Sequence, residues 1–362
     1  MGFFFIKNGF VKKCDLDNII FDFESIIFKC ISLKLKKSGY MAEKHEIQRL
    51  VEETHKEFAS QQDGEIASYI PQLTKANPNH FGISILSTNG QFFEYGDTDK
   101  LFTIQSISKP LTYGMSLEIY GASEVEKKID VEPSGEAFNS IELQPETSRP
   151  YNPMVNAGAI SATGMLFDKY GKDAIDFILE KFSLAAGRTL EIDKEVYWSE
   201  LETGNRNRAI AYLLLNFNMI SDYIDQILEI YFAQCAILVN CHDLACIAAT
   251  IANLGENPIT KKEVFNIEAV RSIMSVMNIC GMYDNTGRWM NEIGIPSKSG
   301  VSGGIVGVVN RQMGIASYSP KLDKKGNSCR GISTYKKLSQ ELGLHAFDCM
   351  NAGSSFLTTM LK

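Results

Sequence analysis

Ser106 and Lys109 stand three residues apart in "IQSISKP" at 104–110, a spacing that puts both side chains on one side of a helical turn. A serine hydroxyl is a weak nucleophile and needs a base within hydrogen-bond reach. Lysine can be that base only where burial or a neighbouring cation lowers its pKa from the usual value of about 10.4. The competing reading is structural, a serine that caps a helix followed by a solvated lysine. Two distant segments weigh toward chemistry. Lys298-Ser299-Gly300 in "PSKSGVSGG" stands immediately before an apolar run that reads as a strand. Tyr283 in "CGMYDNTG", which alone would read as a core tyrosine, offers a phenol able to relay protons between serine, lysine and leaving group.

These side chains need elements to hold them. The segments "HFGISILST" and "QFFEYGD" are extended and apolar, and Asn89-Gly90 between them predicts a hairpin because both residues accept positive φ. In "SKPLTYGMSLEIYG" Pro110 suits a first helical turn, Leu111, Met115 and Ile119 share a face, and Gly121 suits the C-terminal cap. Ser106 is therefore expected at or just before a helix N-terminus. Residues 122–290 read as mainly helical, with helices over 208–218 and 223–238 and loops at 130–153 and 198–207. Near the end, "GGIVGVVN" and "QMGIASYSP" alternate like a hairpin turning at Asn310-Arg311. Strands toward both ends of a helical centre imply one antiparallel sheet assembled from distant segments.

Composition narrows the classes. With 362 residues, of which 44% are apolar, the chain can fill a large core, and a net charge of -7 argues against nucleic acid as a partner despite the local "KLKKSG". Eight cysteines without a CxxC suit a reducing compartment. Cys235, Cys241, His242 and Cys246 fit no zinc spacing and are expected to be core residues, so no metal is expected. No stretch reaches the ~18 apolar residues of a membrane span, and "ACIAATIANLG" at 245–255 reads as a small-residue core helix. The start "MGFFFIKNGF" has no basic residue ahead of its short apolar run, which disfavours secretion, and Ile6 breaks the myristoylation pattern.

Seven motifs in order then carry a resemblance. Through "GEIASYIPQL", "FTIQSISKP", "EPSGEAFNSI", "NPMVNAGAI", "GNRNRAIAY", "CGMYDNTG" and "KSGVSGG" the sequence resembles the serine-dependent glutaminase family over about residues 60–345. The resemblance implies an α/β (α+β), β-lactamase/transpeptidase-like fold: an antiparallel five-stranded sheet flanked by helices, joined to a mainly helical subdomain with the site between them. The expected organisation is a helical leader over 1–59, a catalytic domain over 60–345 and a tail over 346–362. Within the catalytic domain the sheet parts are about 60–105 and 296–345, and the helical subdomain about 122–290.

The resemblance also implies roles. Ser106 matches the nucleophile and Lys109 its base; Tyr231 and Tyr283 match the active-site tyrosines. Asn156, Glu200 and Asn207 match substrate ligands, Glu200 holding the α-amino group; Val301 matches the residue whose N–H joins that of Ser106 in the oxyanion hole; and Tyr69 is expected to line the pocket. The set is chemically apt, since free glutamine presents an ammonium to an acceptor and a carboxylate to donors. The implied reaction is hydrolysis of L-glutamine to L-glutamate and ammonia without a cofactor. The family also implies a homo-oligomer, dimer or tetramer, with no nucleic-acid or membrane partner.

The leader "NGFVKKC" resembles the animal, kidney-type branch, which adds a mitochondrial transit sequence ahead and ankyrin repeats behind. Neither lies within this sequence, so a short isoform, a truncated gene model and a divergent relative are all open, as are mitochondrion and cytosol. In that branch the loop after "EPSG" forms an activation site between dimers. Here "FNSIELQPETSRP" sets Glu142 beside Ile141, and tetramer-linked activation is expected to be weakened because burying Glu142 unpaired is costly; a solvated surface loop is the other reading. A β-lactam- or peptide-processing serine enzyme, the class in which SxxK also accompanies K-[ST]-G, and a catalytically silent scaffold are the alternative functions.

Overall fold

A computed structural model of the chain describes residues 40–135 and 139–347. The chain forms two compact units, Met1–Arg49 and Leu50–Lys362. The described part of the first is the start of a helix running Tyr40–Phe58. Expectations for the leader before residue 40 and for the tail beyond 347 lie outside the described residues.

The second unit is organised on a five-stranded antiparallel sheet. Its strands lie in the spatial order Phe92–Gly96, Gly82–Ser87, Met313–Tyr318, Gly304–Val309, Ser297–Ser299. Each of the two hairpins joins strands that are neighbours in sequence. Their junction is not local: Ile85 pairs with Ile315, more than two hundred positions along. That pairing is what brings the KSG segment, opposite Val306 and Ile305, into the same sheet as the hairpin that precedes the serine in the chain. The fold is the antiparallel-sheet-and-helix architecture expected.

Helices cover both faces, so the central strands "GISILS" and "GIVGVV" are buried almost throughout instead of alternating with polar residues. On one face lies the helix Cys241–Ala252, whose residues Ala245, Ala248, Ala249 and Ala252 are fully buried, as "ACIAATIANLG" predicts. Gly314 makes the contact possible: a Cβ there would come within 2.2 Å of the Ala249 nitrogen. On the other face, Tyr335 of the helix Cys329–Leu342 donates its hydroxyl to Ile315 O at 2.7 Å.

Three local expectations change. At Asn89-Gly90 only Gly90 takes positive φ, 86°. The turn is closed by Gly90 N donating to Ser87 O and Ser87 N to Gln91 O, a longer loop than a two-residue turn. The expected loop at 198–207 is instead two helices, Lys194–Thr203 and Asn205–Asn216, interrupted at Gly204. Finally, a three-stranded sheet joins Phe102–Thr103, Ile237–Val239 and Glu191–Ile192, strands of two or three residues that leave no period-two signature. It matters for the site because it ties the segment entering Ser106 to the helical half, with Ile104 N donating to Ile237 O at 2.8 Å.

No helix among the described residues is long and apolar enough to cross a membrane. Cys235, Cys241 and Cys246 are buried free thiols, and no group of His, Cys, Asp and Glu among the described residues could hold a metal ion. His242 bonds Glu94 at 3.0 Å and stacks on Phe92.

Candidate active site

The chain enters the site from the strand Phe102–Thr103, makes a 3-10 turn over Gln105–Ser108 and continues as the helix Lys109–Tyr120, with Pro110 in its first turn. Gln105 sits at φ 51°, a left-handed conformation costing a side-chain-bearing residue about 1–3 kcal/mol, of the kind found at functional sites. No side chain caps either the 3-10 turn or the helix, so Ser106 is not a capping serine. It is 8% exposed, while Lys109 is wholly buried.

Lys109 Nζ donates to Met154 O at 3.0 Å and to Asn156 Oδ1 at 2.7 Å. An uncharged amine can make both of these N–H bonds. Burial favours that form and lowers its pKa to about 8. Asn156 is oriented in turn: its Nδ2 donates to Asn207 Oδ1 at 2.9 Å, which turns its oxygen toward the lysine.

Tyr283 opens a short 3-10 turn with φ 56°. Its hydroxyl donates to Ser299 O at 3.0 Å and is hydrogen-bonded to Ser106. Burial raises its pKa above the usual phenol value, with the Ser106 bond opposing. The strand Ser297–Ser299 can press against the serine turn because Gly300 follows it. A Cβ on Gly300 would lie 3.1 Å from Ile104 O. The next residue, Val301, packs its side chain with Ile70 and Tyr283, and its amide enters no backbone hydrogen bond among the described residues. The Ser106 amide lies in the first turn of its 3-10 segment, where an N–H has no intrahelical acceptor.

In front of Ser106 is a pocket of about 170 Å³ whose lining includes Tyr69, Gln105, Asn156, Glu200, Asn207, Tyr231 and Cys235. Glu200 is 4% exposed, and burial raises its pKa to about 6 against the hydrogen bonds of Tyr69 and Gln105. Tyr69 donates to Gln105 Oε1 at 2.7 Å and reaches Glu200 Oε1 at 3.2 Å. Tyr231 is buried beside the Cys235 thiol, which burial pushes up to about 12. At the mouth, Arg206 Nε donates to Asn139 O at 2.5 Å, and both residues line the pocket. A wider apolar groove of about 420 Å³ lies beyond Tyr283, lined among others by Met154, Ile279, Met290 and Phe347; it carries no serine–lysine pair.

Of the residues singled out in the sequence, Tyr69, Ser106, Asn156, Glu200, Asn207 and Tyr231 share the pocket, and Lys109 lies behind it against Asn156. Tyr283 and Val301 are not among the lining residues; Tyr283 meets the site through Ser106 and Ser299. Sequence reasoning missed Gln105, Asn139 and Arg206. Gln105 carries no signal beyond its place beside the serine.

A geometry that combines a serine, a desolvated lysine and a small polar pocket on a mixed sheet-and-helix frame can be compared with known proteins. A glutaminase from Nostoc sp. is 49% identical over 306 residues, covering 84% of this chain and 92% of that protein. The solved structure of a probable glutaminase, ybaS, superposes with a TM-score of 0.81 at 36% identity, over 84% of this chain and 99% of that one. Mglu in its glutamate form gives a TM-score of 0.80 at 39% identity, over 83% and 70%. Because the glutaminase family model also matches residues 64–347, which contain every residue of the pocket, the chain belongs to the glutaminase family.

Proposed function

We propose that the protein hydrolyses the γ-amide of L-glutamine to L-glutamate and ammonia through an ester on Ser106. The observation that carries the reading is the pocket itself, where a buried carboxylate, Glu200, and two amides, Asn156 and Asn207, stand around the serine. This is a set suited to the ammonium and carboxylate of a free amino acid. At about 170 Å³ it is smaller than the roughly 300–1,000 Å³ of sites for drug-sized ligands, which counts against a β-lactam or peptide.

Ser106 Oγ attacks the γ-carbonyl carbon while its proton passes to the lone pair of Lys109. The amides of Ser106 and Val301 receive the oxyanion, each such donor contributing a few kcal/mol to the transition state. The proton then goes to the leaving nitrogen through Lys109 and the Tyr283 hydroxyl, the C–N bond breaks and ammonia departs. Water attacks the ester, gives a proton back along the same route, and Ser106 leaves as the hydroxyl. Tyr69 and Gln105 hold Glu200 for the α-ammonium, and Tyr231 walls the pocket.

We also infer a homo-oligomer of the kind the family resemblance implies. In the single chain Ile141 and Glu142 are exposed on the loop after "EPSG", so an assembly there would have to pair or solvate Glu142.

Ammonia release from L-glutamine, L-asparagine and a chromogenic β-lactam tests the activity, with Ser106→Ala as blank. Glutamine turnover that falls at least about 10³-fold in Ser106→Ala is expected. Turnover surviving in that variant would overturn the mechanism, and β-lactam turnover without glutamine turnover would overturn the function.

A further inference from the structure

Lys298 is fully buried, does not line the pocket and forms no ion pair among the described residues. A buried ammonium without a counter-charge is costly, so a lysine kept in this place calls for a reason. Its Nζ donates to Ser299 O at 2.8 Å. The Tyr283 hydroxyl donates to the same carbonyl at 3.0 Å. Nζ also lies 4.0 Å from the centre of the Tyr283 ring. Thus one amine contacts the tyrosine twice, across the ring face and through the carbonyl that accepts from its hydroxyl.

We propose that Lys298 is a positioning residue that holds the Tyr283 hydroxyl in line between Ser299 O and Ser106. The inference rests on the glutaminase reading above and deepens it. With the Tyr283 proton committed to Ser299 O, the phenolic oxygen presents its lone pairs to Ser106. When the leaving nitrogen needs a proton, the hydroxyl exchanges that carbonyl for the substrate while Lys298 keeps the carbonyl hydrogen-bonded. The single acceptor is never left unpaired, and the tyrosine swings with little cost. The strand supplies this geometry by register: Lys298 lies opposite Val306 and Ser299 opposite Ile305, and Gly300 lets the strand end approach the serine turn. Uncharged Lys298 retains the N–H bonds this role needs, and its burial beside Lys109 favours that form.

The test compares Lys298→Met, which keeps the length of the side chain and removes its donor, with Lys298→Gln, which keeps a donor, each in the wild-type and Tyr283→Phe backgrounds. Wild-type glutamine turnover is measured first, since its absence would fail the parent reading and not this one. For Lys298→Met we expect kcat to fall about tenfold or more with KM within about threefold, as befits an interaction acting on the chemical step. Lys298→Gln should recover part of that loss, and in Tyr283→Phe the Lys298 substitution should cost less than about twofold. An unchanged kcat, a loss confined to KM, or an equal loss in both backgrounds would overturn the proposal. If Lys298→Met does not fold, the Lys298→Gln cycle decides alone: a loss of the same size with and without the Tyr283 hydroxyl overturns it, and a loss seen only with the hydroxyl supports it.

Discussion

On the proposed mechanism, the pH dependence of kcat/KM follows from two buried groups that must both be unprotonated in the free enzyme. Lys109, with its pKa lowered to about 8 by burial, must offer a lone pair. Glu200, raised to about 6 by burial, must offer a carboxylate to the substrate ammonium. At pH 7 a lysine at about 8 is ~9% neutral, against ~0.03% for one at its ordinary value, so burial supplies about 300-fold more of the working form. Falling from pH 8 to pH 6 cuts that neutral fraction about 50-fold. The logarithm of kcat/KM is therefore expected to rise with unit slope between about pH 6 and 8. Below pH 6 the slope should steepen toward two as Glu200 also takes a proton, and Glu200→Gln should lose the steeper part in its residual activity.

The same lysine gives an independent thermodynamic reading. Its folded pKa, about 8, lies below its unfolded value, so between about pH 8 and 10.5 the unfolded chain binds more protons and stability rises with pH. The cost of the buried charge is fully present below that window. Integrating from pH 7 to 9.5, the wild type should gain about 2 kcal/mol relative to Lys109→Met. Initial rates in overlapping buffers measure the first effect and denaturant titration the second. A kcat/KM that stays flat from pH 8 down to 6.5, with no relative gain in stability, would refute the claim that burial is what makes Lys109 a base.

Asn156→Asp would place a carboxylate against Lys109 Nζ, where the amide oxygen now lies at 2.7 Å; the kcat/KM inflection should move upward by about 1–3 units, read from the same rate profiles. Tyr69→Phe removes a hydrogen bond that favours ionised Glu200, so the inflection near 6 should rise and KM increase, with kcat less affected. A Cβ on Gly158 would come 2.0 Å from Asn152 O, two residues before Met154, a Lys109 acceptor. Gly158→Ala is expected to cost about 1–3 kcal/mol by overpacking, seen in denaturant unfolding, and to lower kcat by displacing Lys109. For assembly, sedimentation with and without phosphate should show little phosphate-driven tetramer in the wild type and more in Glu142→Leu.

The sequence by itself determined the family and the local frame of the proposed site. Ser106, Lys109 and the KSG segment were legible because their types and spacing are tied to one short turn and one strand end, and Pro110 and Gly121 mark the bounds of the following helix. Both hairpins and the small-residue helix were legible because alternation, turn residues and alanine spacing are local properties. What only the tertiary structure decided is everything set by pairing across the chain. Burial around Lys109, and so its pKa, depends on carbonyl and amide groups 45 and 47 positions away. Gln105 shows no sign in the sequence because its role comes from a positive φ and from Tyr69 folding over it. The three-stranded sheet that anchors the serine turn has strands too short to carry a period, and the helices around Gly204 are joined in a stretch whose polar residues read as a loop. Lys298 was visible as part of the K-[ST]-G element ahead of a strand, without a role of its own; that its amine lies over the Tyr283 ring and shares the Ser299 carbonyl is a consequence of register, which no single segment encodes.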